Sequence, residues 1–306
     1  LILIVQPTLI RQRIIRNFYK NQDNLLNIIT RVWSYNRKGD SFQLDTLDNA
    51  TSLDEASQRL VGGVYTTLRT YQHNKALHLQ DHFDRLENSV KLQGRDITFP
   101  REHLRDAIRG IIHQYPGGDV RMRVHCSLLP DDYHLYFMAE PFIPYPDDSY
   151  TNGVSAMLLE MQRQNPGSKA TNFIDLTGDI RRKKPAGINE YLMTGSGHTL
   201  LEGMSSNIFV VKDRTIWTAG EGILPGITRQ MALSVINGLN LDVTFNGYPV
   251  DKLQDIDELF ITSASRGVMP VTRIDDLPVG AGIPGPITML VRSEFDRQLQ
   301  SELEPV

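Results

Sequence analysis

Apolar positions along this chain follow two periods, and the switches between them predict most of its elements. Gly63 to Tyr71 is rich in β-branched and aromatic residues and predicts a strand turning at His73-Asn74. Asp81 to Leu92 carries apolar residues at Phe83, Leu86 and Val90 with a stop at Gly94, which predicts a helix. Pro100 to Gln114 predicts a second helix, opened by proline and closed by Pro116-Gly117-Gly118. Ser52-Leu53-Asp54-Glu55 has capping-box spacing and predicts a short helix. Val120 to Leu128 and His134 to Ala139 predict strands joined by Pro130-Asp131-Asp132.

Pro141 to Asn152 is rich in proline and polar residues and reads as a linker. Strands are predicted after it near Gly153–Met161, Tyr191–Thr194, Asn207–Val211, Thr215–Thr218, Leu241–Asn246 and Glu258–Thr262. Helices are predicted over Ile227–Leu239 and Ile287–Leu303. The chain divides into an extension (1–50), a small domain (51–140), the linker (141–152) and a strand-rich domain (153–306). The class is α+β, with the helices grouped rather than strictly alternating with strands. A linker of this kind places a ligand cleft between the two halves.

A formal net charge of −4 over 306 residues argues against a general nucleic-acid binder. No apolar run approaches the roughly 20 residues that span a bilayer, so no membrane partner is expected. Leu1 to Val5 is apolar with its cations behind it, at Arg11, Arg13, Arg16 and Lys20. That order is the reverse of a signal peptide and predicts an amphipathic extension. The single cysteine, Cys126, excludes an internal disulfide, fits a reducing, cytoplasmic compartment, and reads as an inert strand residue.

Four groups carry candidate chemistry. Leu224-Pro225-Gly226-Ile227-Thr228-Arg229 reads as a tight turn opening a helix. The unpaired N–H groups and positive end of such a helix hold a phosphate, with Ile227 and Thr228 as donors. Arg85 would add a bidentate, charge-assisted contact. Glu202, ahead of the Asn207 strand, is placed to face a protonated ring nitrogen. Lys169, after a predicted strand, is a candidate Schiff-base amine if desolvation lowers its pKa, although Lys183 and Lys184 compete nearby. Each has a plainer reading: a capped helix, a solvated arginine, a turn glutamate, a surface lysine.

Other motifs point away from common alternatives. Gly220-Glu221-Gly222 to Gly226 is one residue too long for a dinucleotide loop, and no G-x-S-x-G is present. His78 and His82 have H-x-x-x-H spacing, but Leu79 stands where a zinc protease needs glutamate, so no metal is expected.

Taken together, these segments resemble the class IV aminotransferases, the pyridoxal-phosphate enzymes of fold type IV. The resemblance runs from Arg59 onward. It rests on Gly62-Gly63-Val64-Tyr65-Thr66-Thr67-Leu68-Arg69, His82-Phe83-Asp84-Arg85-Leu86, Glu202 to Phe209, Leu224 to Arg229, and Asp257 to Ser263, with Lys169 spaced before Glu202. It implies a two-domain fold with a smaller N-terminal α/β domain, pyridoxal 5′-phosphate as cofactor, and a homodimer. It assigns Lys169 to the Schiff base and proton transfer, Glu202 to the pyridine nitrogen, and Arg85, Ile227, Thr228, Ala264 and Ser265 to the phosphate.

Departures fall on substrate recognition. The family's strand entry V-F-E-T reads Val64-Tyr65-Thr66-Thr67, without its glutamate, and Ala264 lacks the usual hydroxyl. Phe173 stands near the place of a tyrosine that bonds the cofactor's ring oxygen in branched-chain enzymes. Tyr65 and either Arg121 or Arg123 are the candidate substrate contacts, the arginines by likeness to the branched-chain strand. The expected activity is amino transfer between an α-amino acid, branched-chain type favoured, and a 2-oxo acid. A D-amino-acid or (R)-amine transaminase, an aminodeoxychorismate lyase-like enzyme and a non-catalytic dimeric binding module are the alternatives.

Overall fold

The protein is described from a computed structural model covering residues 29–38 and 41–306. The expected amphipathic segment from Leu1 to Lys20 lies outside the described residues. The first sheet is built from β1 (Arg31–Lys38), β2 (Ser41–Thr46), β3 (Gly63–Tyr71), β4 (Lys75–Leu77), β5 (Val120–Leu128) and β6 (Tyr133–Pro141). The second is built from β7 (Val154–Glu160), β8 (Ile188–Thr194), β9 (Thr199–Gly203), β10 (Ser206–Lys212), β11 (Thr215–Trp217), β12 (Val243–Thr244), β13 (Tyr248–Pro249), β14 (Glu258–Ser263), β15 (Gly267–Ile274) and β16 (Leu277–Pro278). A final strand, β17 (Leu303–Pro305), returns to the first sheet beside β4.

The first sheet runs β17-β4-β3-β5-β6-β1-β2. Val64 and Leu68 of β3 and Met122, Val124 and Cys126 of β5 point into a core shared with helices α2 (Leu79–Leu92) and α3 (Arg101–Ile112). Leu79, Phe83, Leu86 and Val90 give α2 its buried stripe, each contributing about 1.5–3 kcal/mol on full burial. The other face carries Tyr65, Thr67, Arg121 and Arg123 toward a cavity. Cys126 is buried on the core side, and burial raises its thiol to about 12, as befits an inert strand residue.

The sequence reading treats residues 1–50 as an extension, but Arg31–Lys38 and Ser41–Thr46 are strands, with β1 paired to β6. Trp33 and Tyr35 enter the first core. Val32 packs on the opposite face with α1 (Leu53–Gln58). Trp33-Ser34-Tyr35-Asn36 alternates apolar and polar, but the alternation covers only four residues, too short a run for period counting to set the strand apart.

In the second sheet β9 also pairs with β10, so β10-β14-β15-β7-β8-β9 close into a ring. Ala156, Leu192, Leu200, Ile208, Ile261 and Met269 fill its inside. Phe209, Val211 and Phe260 point outward against α6 (Ile227–Gly238) and α7 (Pro286–Glu302). Phe209 and Phe260 stack at 4.8 Å, worth about 0.5–1.5 kcal/mol beyond burial. β15 escaped sequence reading because Pro270 sits in its middle, where proline argues against a strand.

The linker holds one turn of helix, α4 (Asp148–Thr151). Past β7 lies an unpredicted helix, α5 (Asn172–Arg182), which packs on α1. Gly178 faces α1 there, and a Cβ on it would sit 3.0 Å from the end of the Gln58 side chain.

Candidate active site

All ten residues singled out in the sequence line one cavity of about 350 Å³, which falls within the usual range for small-molecule sites. Lys169, Glu202, Ile227, Thr228, Ala264 and Ser265 come from the second sheet and its connections. Arg85, Tyr65, Arg121 and Arg123 come from the first. Phe142, Ile143 and Tyr145 of the linker close the gap between them.

Lys169 is fixed by its own backbone. Its N–H donates to Ser89 Oγ at 3.1 Å and its carbonyl accepts from Tyr65 N–H at 2.9 Å. Thr171 continues the tie: its N–H donates to Gly63 O at 2.9 Å, and its Oγ1 accepts from Gly63 N–H at 2.9 Å. Ser89 of α2 and Gln93, its C-cap residue, face this loop one turn apart, Gln93 donating to Ser168 Oγ at 3.2 Å. The half-buried Lys169 places Nζ 4.8 Å from the centre of the Tyr65 ring. Desolvation, then the cations Arg85, Arg163 and Arg123, push its pKa well below 10.5, against the opposing charge of Glu202.

Glu202, the penultimate residue of β9, is almost fully buried. Oε1 accepts from Arg163 Nε at 2.7 Å and Oε2 from Leu224 N–H at 3.1 Å. Burial raises its pKa, while Arg163 and the Leu224 N–H pull the other way. Arg163 was not singled out in the sequence. It precedes Lys169 by six residues in an irregular stretch, and no spacing rule links it to Glu202. Its guanidinium lies 3.5 Å from the centre of the Phe173 ring.

The turn before α6 is open at its end. Gly226 caps the helix in an extended conformation with no side-chain cap bond, and helix geometry leaves the first N–H groups without intrahelical acceptors. A Cβ at Gly226 would meet Asn207 Oδ1 at 2.3 Å, and Asn207 in turn donates to Leu224 O at 2.9 Å. The adjacent turn with Ala264 and Ser265 is anchored by the next residue, Arg266. It donates to Glu190 Oε2 at 2.9 Å, a contact buried on both sides. Burial opposes the Glu190 charge, but Arg266 and the Ser205 and Ser206 hydroxyls hold the carboxyl below its ordinary value.

Arg85 approaches from the opposite wall. Its Nη2 donates to Thr66 Oγ1 at 2.6 Å and approaches His82 Nδ1 at 3.2 Å, and the Thr66 hydroxyl lies 2.9 Å from that nitrogen. Burial, then Arg85 and Lys169, push His82 well below its usual pKa, so the ring is neutral and Nδ1 accepts. Burial also lowers Arg85 to about 10. Thr66 thus occupies the expected glutamate's place as the hydroxyl that steers Arg85. His78 turns elsewhere, to Glu302 at 2.6 Å.

The two arginines proposed for substrate are not equivalent. Arg123 is locked: Nη1 donates to Leu53 O at 2.8 Å and Ser57 Oγ at 2.7 Å, and Nη2 to Asp54 at 2.7 Å. Arg121 pairs with Glu140 at 3.0 Å. Arg181, from the unpredicted α5, also lines the cavity and was missed with its helix.

The residues present fit a phosphorylated, ring-nitrogen cofactor. The uncapped helix end offers main-chain donors, Gly226 leaves room beside them, and Arg85 Nε and Arg163 Nη1 are buried in the cavity wall without a hydrogen-bond partner among the described residues.

Comparison with known proteins agrees. Residues 63–274 match the family described as amino-transferase class IV. A D-alanine aminotransferase of Bacillus licheniformis is 30% identical over 83% of this chain and 93% of its own length. A Thermotoga maritima protein with the name "Probable branched-chain-amino-acid aminotransferase" is 28% identical over 85% of this chain and 92% of its own. The branched-chain aminotransferase of the thermophilic archaeon Thermoproteus uzoniensis, solved with norvaline, shares the fold. Its TM-score is 0.72 at 24% identity, over 90% of this chain and 98% of that one.

The chain therefore belongs to the class IV aminotransferases, the fold type IV enzymes that use pyridoxal phosphate. Its reaction is amino transfer. Among the described residues no helix is long and apolar enough to cross a membrane.

Proposed function

We propose that this enzyme moves an amino group between an α-amino acid, of the branched-chain type, and a 2-oxo acid, and that it does so as a homodimer. One observation carries the amino-transfer chemistry of this reading: Lys169, Glu202 and the open start of α6 line the same cavity. The branched-chain substrate is proposed by likeness to the Thermotoga maritima protein. When bound, pyridoxal phosphate supplies an electrophilic carbonyl carbon and an electron-withdrawing ring.

Lys169 Nζ, uncharged over more of the pH range than an ordinary lysine, is the nucleophilic amine and then the base that carries the proton at the substrate Cα. Glu202, aimed by Arg163 Nε and Leu224 N–H, presents its carboxylate to the ring nitrogen. The N–H groups of Ile227 and Thr228, the Thr228 hydroxyl, the 264–265 turn and Arg85 bind the phosphate. Tyr65 covers Lys169 and restricts water.

The D-amino-acid reading is supported by the likeness to the Bacillus licheniformis enzyme. One experiment separates the two. Protein mixed with pyridoxal phosphate develops a near-visible absorbance that Lys169→Ala abolishes, and an unchanged spectrum in the variant overturns the role of Lys169. L-leucine, D-alanine and an (R)-amine are then added separately. Bleaching by L-leucine supports the branched-chain reading, and bleaching by D-alanine alone replaces it. Sedimentation at twice the chain mass tests the dimer.

A further inference from the structure

Charges around the cavity are unevenly matched. Arg163 pairs with Glu202 at 2.7 Å, Arg121 with Glu140 at 3.0 Å and Arg266 with Glu190 at 2.9 Å. Positive charge is left over in two separate places. One is Arg85, which lines the cavity and pairs with no carboxylate among the described residues. The other is at Asp54, a single carboxylate shared by Arg123 at 2.7 Å and Arg181 at 3.4 Å. One carboxylate cannot neutralise two guanidiniums, so a net positive charge remains beside the cavity.

The two guanidiniums are held very differently. Arg123 has a side chain 4% exposed and bonds at 2.7–2.8 Å on both terminal nitrogens. Arg181 is 29% exposed and makes only long contacts, to Asp54 Oδ2 and Met204 O at 3.4 Å each and to Thr177 Oγ1 at 3.1 Å. A guanidinium with a free choice closes to about 2.7–2.9 Å on an anion. Asp54 meets Arg123 through Oδ1 and Arg181 through Oδ2. Arg181 can therefore release Asp54 without leaving that carboxylate unpaired.

We infer that Arg181 is the residue that binds the substrate's carboxylate, with Asp54 and Arg123 as positioning residues behind it. The naming of that anion as substrate rests on the transaminase reading above. Arg121 and Arg123, the arginines expected from the strand pattern, are already engaged by Glu140 and by α1. The consequence is a preference for amino and oxo acids over carboxyl-free amines of the same size.

The test is equilibrium binding, independent of turnover. Pyridoxal-phosphate-loaded protein is titrated by calorimetry with pentanoate and with pentanamide, which differ by one charge. Pentanoate binds at least about ten-fold tighter, as expected of a charge-assisted pair. In Arg181→Met the ratio falls to within about two-fold, and in Arg181→Lys, which keeps the charge without the fork, it lies between. Equal binding of the two ligands to the wild type overturns the inference. So does an unchanged ratio in Arg181→Met, or a ratio that collapses in Arg121→Met instead. Should Arg181→Met not fold, the lysine variant decides: a lowered ratio supports the assignment and an unchanged one overturns it. If the ratio behaves as stated while no amino donor bleaches the cofactor, the transaminase reading falls and the carboxylate site stands.

Discussion

The two walls of the cavity are built by different means. The wall from the second sheet offers main-chain groups: the first N–H groups of α6 and the turn at Ala264-Ser265. The wall from the first sheet offers long cationic side chains, Arg85, Arg121 and Arg123, to which α5 adds Arg181. A main-chain donor is aimed by helix geometry and needs only that the helix start in the right place. A guanidinium is aimed by its buried partners, such as Thr66 and His82 for Arg85 or Asp54 and Ser57 for Arg123. The main-chain wall therefore suits a group of fixed shape such as a phosphate, and the cationic wall can be retuned by changing one partner.

The sharpest probe lies within the second-sheet wall, at a side-chain ion pair beside its main-chain groups, Arg163–Glu202. Arg163→Met leaves Glu202 buried and unpaired, and a loss of about 3–5 kcal/mol is expected in chemical denaturation of the cofactor-free protein. Adding Glu202→Gln recovers much of it, because the stranded charge is gone. A single-variant loss below about 1 kcal/mol would contradict the idea that buried partners govern this region.

Next comes Gly226→Ala, aimed at the main-chain wall. The new Cβ meets Asn207 Oδ1, and overpacking of this kind costs about 1–3 kcal/mol. The cofactor's affinity, read by equilibrium dialysis, falls in parallel if the start of α6 sets the phosphate position. Ser52→Ala is milder, at about 1 kcal/mol in denaturant midpoint, through loss of the cap bond from Glu55 N–H at 3.1 Å. Because α1 carries Asp54, this variant should lower the pentanoate preference yet leave cofactor affinity alone.

The smallest effect has the opposite sign. Lys169 carries a folded pKa well below its unfolded value of 10.5, so the unfolded chain binds more protons between those two values. The cost of burying the amine is full below the folded pKa, shrinks as pH rises, and vanishes above 10.5. Lys169→Met therefore stabilises the cofactor-free protein at neutral pH, and the gain fades toward pH 10.5. Thermal melts across pH check this, and a gain independent of pH would argue against a desolvated amine.

The same contrast separates what could be read from the chain. The α6 turn, the capping box at Ser52, the α2 stripe and β3 are local patterns, and each stands where its period or turn chemistry put it. β1 did not announce itself because its alternation, Trp33-Ser34-Tyr35-Asn36, spans only four residues. β15 was masked by Pro270. α5 was masked by Gly178, a weak helix former in its interior.

By itself, the sequence determined the elements with a single exposed face, the open helix start at Gly226-Ile227, and the order in which Lys169, Glu202 and that helix follow one another. These depend on residues within a turn or two of each other, where backbone geometry dictates the outcome. Only the tertiary structure decided which charges meet. Arg163 reaches Glu202 across 39 residues and Arg123 reaches Asp54 across 69, while Arg181 is left with long bonds beside the same aspartate across 127. Ion pairing depends on distance in space and on burial, neither of which sequence spacing encodes. That is why the cofactor's corner was legible in the chain and the substrate's was not.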